Sequence, residues 1–330
     1  MGSRASSPRH GTTDTRMRLS VPGNLLILGE YAVLEEGGLG LAMAVERRVR
    51  LASLPARGLR VEGSWPGGSL AWTPGQPETS LLVSAAVSTV EQWLGGTGAR
   101  AWRAHMTIDS ADFFLPGGRK TGLGSSAAVA VALTCALLDA AGRRDAVQDG
   151  TAGGLAVKAH RLAQRGAGSG YDVLCSFHGG LGLFRGGSVP AWEPCRPPWH
   201  PSVQLFTGPA AVSTAEAVHR YAEWKGRLPG AARAYLAESN QAVLSFVGAP
   251  GAEEARQRFA DCTRLGISLG ESIGVPAGII APAGLDARWC KAAGAGNELG
   301  MCLLPDDVHP PEAPGMTLAP LASHGVIWEE

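Results

Sequence analysis

One stretch constrains this chain more than any other: Arg119 to Gly142, RKTGLGSSAAVAVALTCALLDAAG. Two cations open it, glycines 122 and 124 flank Leu123, two serines follow, and no charge appears until Asp139. An Ala-rich run of this kind favours helix. A helix that is apolar on all sides must be buried. A membrane span needs ~17–25 strongly apolar residues. The charge-free part, Gly122–Leu138, sits at the short edge of that range and is built mostly from Ala and Val with Gly, Ser and Thr between. The spacing therefore predicts a buried helix over Leu123–Leu138. Burial does not explain its beginning. Glycines ahead of a helix expose backbone N–H groups without Cβ obstruction, and the helix start adds partial positive charge. Ser125 and Ser126 can cap the helix or offer a hydroxyl to phosphate, and Arg119 and Lys120 stand just upstream. Two readings stay open from the residues alone, a phosphate cradle and a plainly capped helix. The orders GxxxxGK[ST] and GxGxxG are both absent from the stretch, so it is neither a Walker A loop nor a dinucleotide fingerprint.

Composition narrows the surroundings. Apolar residues make up 45% and charged residues 18% of 330, the balance of a globular protein with a real core. Twenty-nine basic and 29 acidic residues cancel, so no global field favours nucleic acid or an anionic membrane. An anionic small molecule would need a local cation cluster. Six cysteines form no CxxC pair, which removes zinc-type and thioredoxin-type spacings. Cys135 reads as a small core hydrophobe. A reduced, cytoplasmic setting is the simplest expectation. Residues 1–16 carry no apolar signal-peptide core and are expected to be a disordered extension.

Along the chain, RLSVPGNLLIL suggests a short strand, a Pro-Gly break and an apolar run, and GLGLAMAVERRVRLASL suggests a strand pair. LRVEG and SLAWT suit short strands. Helical spacing is expected over 80–94, 151–164, 213–225, 230–247 and 252–271. VLCSFHGGLGLFRGG reads as a small-residue strand or turn region. The break PAWEPCRPPWHPS places a boundary between an N-terminal domain, 17–195, and a C-terminal domain, 196–330. Strands first and helices later predict an α+β protein with two lobes.

Three segments together resemble the signature motifs of the GHMP kinase superfamily: PGNLLILGEYAVL (22–34), KTGLGSSAAVAVALTCALL (120–138) and KAAGAGNELGMCLL (291–304). The forms KTGLGSSA and AHRLAQRGAGSGYDV (159–173), with TIDSADFF before the second motif, are most similar to the phosphomevalonate kinase branch. The resemblance implies a two-lobed α+β fold, with an N-terminal lobe like domain 2 of ribosomal protein S5 and a ferredoxin-like C-terminal lobe. It implies ATP and Mg²⁺ as cofactors and a small, phosphorylated acceptor in the cleft, most simply 5-phosphomevalonate on the mevalonate route to isoprenoids. No nucleic-acid or membrane partner is expected, and oligomeric state is left open, a homodimer being one option.

The resemblance also assigns roles. Gly122, Leu123, Gly124, Ser125, Ser126 and Ala127 would wrap the nucleotide phosphates, with Ser126 ligating Mg²⁺. Asp172 would be the base or positioning carboxylate, and Lys120 a catalytic cation. Asn24, Glu30, His160, Ser169, Gly170, Gly294, Ala295 and Gly296 would line the acceptor site. Two departures stand out. The family's motif-one lysine is Asn24, which carries no charge, so Lys120 is the candidate to cover its role. The usual glycine-rich end of motif three is replaced by Gly296-Asn297-Glu298-Leu299. Mevalonate kinases carry a metal-binding Glu on the helix before Asp172, a position that counts back to Arg161 here. Arg47, Arg48 and Arg185 are further candidate anion anchors, although charged pairs are usually solvated faces. The departures keep two alternatives in view: mevalonate kinase or another small-alcohol kinase, and a catalytically weak relative that binds a nucleotide or metabolite.

Overall fold

A computed structural model describes residues 17–75, 80–96, 102–166, 168–196, 202–209, 213–294, 296–304 and 316–329. The expected N-terminal extension and residues 305–315 lie outside them. The described residues are α+β and build two sheets. The larger contains β1 (Met17–Leu28), β2 (Leu39–Pro55), β3 (Arg60–Trp65), β4 (Gly68–Trp72), β5 (Ala104–Asp109), β6 (Leu181–Arg185), β7 (Ala191–Pro194) and β12 (Ile327–Glu329). Its main path runs β12-β1-β2-β5-β3-β4, antiparallel except for the parallel pair β3–β5. The smaller sheet runs β11-β8-β10-β9, from β8 (Ser202–Thr207), β9 (Cys290–Ala293), β10 (Leu299–Leu304) and β11 (Met316–Leu318).

The expected break in the first motif and the expected strand pair after it are each one long strand. β1 stays paired with β2 through register shifts at Pro22/Gly23 and Leu26/Leu28. The proline therefore sits at a bulge, where a missing N–H costs the ladder little. β2 remains continuous because its second edge is shared: Leu39–Met43 pair with β6, and Arg50–Pro55 pair with β5.

The helices are α1 (Leu81–Trp93), α2 (Ser125–Ala140), α3 (Asp145–Gln148), α4 (Thr151–Ala163), α5 (Tyr171–His178), α6 (Thr214–Arg227), α7 (Pro229–Val247) and α8 (Ala252–Ile273). The apolar run became α2, as its composition requires. It packs on α1, α4, α5, β1 and β2, and every residue from Ala130 to Leu138 is buried. Enclosure on several sides explains why its apolar residues follow no single stripe. Among the described residues no helix is long and apolar enough to cross a membrane.

The expected strand or turn over VLCSFH is instead α5. Five consecutive residues, Val173–Phe177, are buried, so no periodic pattern marks the helix. Its punctuation is nonetheless in the sequence, with Gly170 before it and Gly179 after it.

The chain also crosses back. β12 pairs with β1, and buried Arg48 holds the nearby tail through its guanidinium, which donates to the His324 and Gly325 carbonyls and to Ser20. A single cut at 195/196 does not separate the two sheets. Arg48, an expected candidate anion anchor, is thereby committed to structure. A reduced setting was expected from the cysteine spacing, yet Cys290 and Cys302 face each other across β9 and β10 and are disulfide-bonded.

Candidate functional site

The loop before α2 is held from below. Thr121 N–H donates to Phe113 O at 2.9 Å, and Asn24 N–H on β1 donates to Leu123 O at 3.0 Å. Gly124 is the N-cap in the left-handed region, φ +73°, and the cap has no side chain bonded to the helix amides. The first-turn N–H groups of Ser125, Ser126 and Ala127 have no intrahelical acceptors. An uncapped helix start with positive dipole character is an anion site. Gly122 (φ +77°) faces open space, with only Leu299 Cδ2 4.0 Å from where a Cβ would stand. A β-carbon on Gly124 would meet Asn24 Nδ2 at 2.0 Å.

Gly122 and Gly124 line a cleft of about 340 Å³ together with Asn24, Glu30, Tyr171 and Asp172, closed by Thr214 and Val218 of α6 and by Gly294 after β9. Asp172 lies in the first turn of α5, where a carboxylate is favoured by the helix start. Its Oδ1 accepts from Val173 N–H at 2.9 Å, and a quarter of the side chain stays exposed, at 24%. Ser169 and Gly170 supply the turn into α5, and Ser169 also lines the cleft.

Arg161, on the helix ahead of that turn, makes the turn rigid. Its guanidinium donates to the carbonyls of Gly168 (3.1 Å), Ser169 (2.6 Å), Gly187 (2.9 Å) and Ser188 (3.3 Å). The fork geometry of arginine suits such a clamp. The position that the resemblance pairs with the metal-binding Glu of mevalonate kinases is here a backbone staple.

His160 is 3% exposed and is not among the described residues that line the cleft. Its Nε2 lies 2.9 Å from Ser126 Oγ and its Nδ1 lies 3.6 Å from Asp172 Oδ2. Asn24 is also 3% exposed, and its amide donates to Ser176 Oγ on α5 at 3.0 Å. The residue that the resemblance pairs with a lysine is thus a tie between β1, the loop and α5. Sequence reasoning missed Ser176, and no local signal marks it.

Glu30 touches the cleft but is paired with Lys291, whose side chain is 5% exposed and whose ammonium also donates to the Ala292 carbonyl at 2.7 Å. Lys291 opens the third motif, and that was its only signal. The same charge pair acts on Cys262. Burial and the Glu30 carboxylate push its thiol up to about 12, against the pull of Lys291. Tyr31 beside Glu30 is likewise pushed well above the ordinary tyrosine range, by burial first and by Glu30 second.

Lys120 is exposed, with Nζ 6.0 Å from the Phe114 ring centroid, and is not among the described residues that line the cleft. Thr121 and Leu123 of the same loop line a second cavity of about 190 Å³ with Arg47, Arg119, Phe206 and Leu299. Cations therefore stand on the Arg47/Arg119 side of the loop, while the described lining of the Asp172 cleft holds two carboxylates and no Lys or Arg. Gly296 borders the small cavity around Lys291. Ala295 lies outside the described residues. Buried Asn297 donates to the Gly278 carbonyl at 2.9 Å, which accounts for one residue of the altered third motif as structural.

Residues 82–180 match the GHMP kinases N terminal domain. Among curated proteins, a phosphomevalonate kinase of Streptomyces sp. (strain CL190) is 29% identical over 136 residues, 35% of this chain. That match spans only 36% of the relative's length. Among solved structures, the Lin0012 protein of Listeria innocua superposes with a TM-score of 0.77 at 20% identity, covering 96% of this chain and all of that one. The Streptococcus pneumoniae phosphomevalonate kinase in complex with phosphomevalonate and AMPPNP gives 0.68 at 17% identity, over 88% of this chain and 92% of that one. The L. major mevalonate kinase in complex with R-mevalonate gives 0.64 at 17% identity, over 97% and 100%.

Proposed function

We propose that this chain, which carries a GHMP kinase N-terminal domain and the fold of the GHMP kinases, transfers the γ-phosphoryl group of ATP to a small molecule held in the Asp172 cleft. The observation that carries this reading is the uncapped start of α2, which stands at the mouth of a cleft that also holds a first-turn carboxylate. Phosphoryl transfer needs chiefly positioning and charge neutralisation. In this reading the amides of Gly122–Ala127 hold the nucleotide phosphates, and Arg47 and Arg119 add charge on the far side of the loop. Asp172 orients the acceptor oxygen and takes its proton. Ser169, Gly170 and Gly294 shape the acceptor end. Asn24, Glu30 and His160 support the site through Ser176, Lys291 and Ser126.

The donors fit Mg²⁺. Ser126 and Asp172 offer hard oxygen atoms, and among the described residues no cluster of three or more His, Cys, Asp or Glu builds a metal cage by itself. That is the pattern of an ion carried with nucleotide phosphates. When bound, Mg²⁺ neutralises phosphate charge.

The first acceptor is 5-phosphomevalonate. It is supported by the AHRLAQRGAGSGYDV segment and by the likeness to phosphomevalonate kinases. In this reading the enzyme acts on the mevalonate route to isoprenoids, in the cytoplasm. A second reading, mevalonate or another small alcohol without a phosphate group, is favoured by one observation: the described lining of the cleft contains no Lys or Arg to receive an acceptor phosphate. A coupled ADP-release assay over phosphomevalonate, mevalonate, galactose and homoserine separates the two. Turnover of mevalonate but not phosphomevalonate overturns the first reading. ATP binding by calorimetry with no turnover on any acceptor overturns kinase activity itself.

A further inference from the structure

A hydroxyl and a side-chain amide converge on one nitrogen of a buried imidazole. His160 Nε2 has Ser126 Oγ at 2.9 Å and the side-chain amide of Gln164, Nε2, at 3.4 Å. A hydroxyl can donate, and an amide –NH₂ can only donate. The other ring nitrogen, Nδ1, faces a carboxylate oxygen, Asp172 Oδ2, at 3.6 Å. A carboxylate can only accept. Which ring nitrogen carries the proton is set by what the other one meets. Here both sides agree: the proton belongs on Nδ1, and the bare lone pair belongs on Nε2.

The consequence falls on Ser126. With Nε2 as acceptor, the Ser126 O–H points inward to His160, and the oxygen lone pairs turn outward from the start of α2. A hydroxyl that is to contact a cation must present lone pairs, not its hydrogen. We infer that His160 is a positioning residue, which sets the Ser126 hydroxyl for a divalent cation carried with the nucleotide, and that Asp172 fixes the tautomer that allows it. The inference rests on the kinase reading of the site. It moves His160 from the acceptor-contact role that the sequence suggested to a role exerted through Ser126. The link also joins the two halves of the machinery, because the carboxylate that serves the acceptor and the hydroxyl that serves the nucleotide share one imidazole. At 3.6 Å the Asp172 contact is longer than a hydrogen bond, a spacing that commonly tightens when ligands are in place.

The tautomer is measured directly. Wild-type protein with ¹⁵N-labelled histidine, free of nucleotide and at neutral pH, should show the His160 ring with Nδ1 protonated and Nε2 bare, the signal being assigned by its loss in His160→Gln. The second arm is kinetic. Outer-shell partners of metal ligands typically carry 10–100-fold in metal affinity or activity. In His160→Ala the free Mg²⁺ needed for half-maximal activity should rise by about that factor, with the acceptor KM changed less than about twofold. His160→Gln, whose side-chain carbonyl can still accept from Ser126, should recover part of the loss. A ring protonated on Nε2, or an unchanged Mg²⁺ requirement in His160→Ala, overturns the inference. If His160→Ala does not fold, the wild-type tautomer decides. Wild-type protein inactive on every acceptor counts against the kinase reading instead, and the two failures are told apart by that result.

Discussion

Replacing Gly124 by Ala should damage the loop through one identifiable collision. The backbone there is left-handed, φ +73°, which costs an L-residue about 1–2 kcal/mol. The new β-carbon would stand 2.0 Å from Asn24 Nδ2 and 2.5 Å from its Cγ and Oδ1. Asn24 cannot simply swing away, since it is 3% exposed and bonded to Ser176. Moving it breaks that bond and strands buried polar groups, at about 1–3 kcal/mol. The expected loss is therefore about 2–5 kcal/mol of unfolding free energy, from the backbone and hydrogen-bond costs together. Gly122→Ala is the internal control. It has a similar φ of +77° but open space around the added carbon, so only the backbone cost of about 1–2 kcal/mol applies. Urea unfolding of both variants at equal protein concentration gives the two values. A double-mutant cycle completes the test: in an Asn24→Ala background, which removes the struck atoms, the Gly124→Ala penalty should shrink to the backbone cost alone. If it stays as large as before, or if the two glycine variants lose the same stability, the collision with Asn24 is not what reserves this position for glycine.

Asp172→Ala should cut kcat by about 10²–10⁴ while calorimetric ATP binding persists, since the carboxylate serves proton transfer rather than the nucleotide; unchanged kcat would show the base has been misassigned. Lys291→Met leaves the partly buried Glu30 carboxylate without its partner, and should cost about 1–3 kcal/mol in denaturant unfolding. Adding Glu30→Gln should restore part of that loss, and its failure to do so would mean the pair is not coupled. Asp286 is held down at about 2, chiefly by its hydrogen bond to the Arg288 side chain, with Arg256 adding a second pairing. Its folded-state value is below the ordinary ~3.9 of an unfolded Asp, so its contribution is fully present above about pH 4 and fades as pH falls toward 2. Asp286→Asn should therefore flatten the acid limb of the stability curve between about pH 4 and 2.5 and change nothing in shape at pH 7; identical acid limbs would refute that assignment.

The buried helix, the glycine turn at its start and most helix positions were legible because each rests on local chemistry. Thr151–Gln164 was expected and α4 ends at Ala163; 230–247 was expected and α7 runs Pro229–Val247. Failures came where burial on every side erased periodicity, as in α5, or where a partner strand rescued a sequence break, as at Pro22 in β1. Lys120 looked like a cation at the cradle because adjacency in sequence was the only geometry available. In space its ammonium lies over Phe114 instead.

The sequence by itself determined that an Ala-rich helix must be buried, that glycines 122 and 124 stand before its first turn, and that Asp172 follows a glycine turn. Those properties belong to neighbouring residues and need no partner from afar. Tertiary structure alone decided what the polar side chains do: Asn24 bonds a residue 152 positions away, Lys291 meets Glu30 across 261, and Ser126 meets His160 across 34. A buried polar group must find a partner, and which partner is fixed only when distant segments share one core.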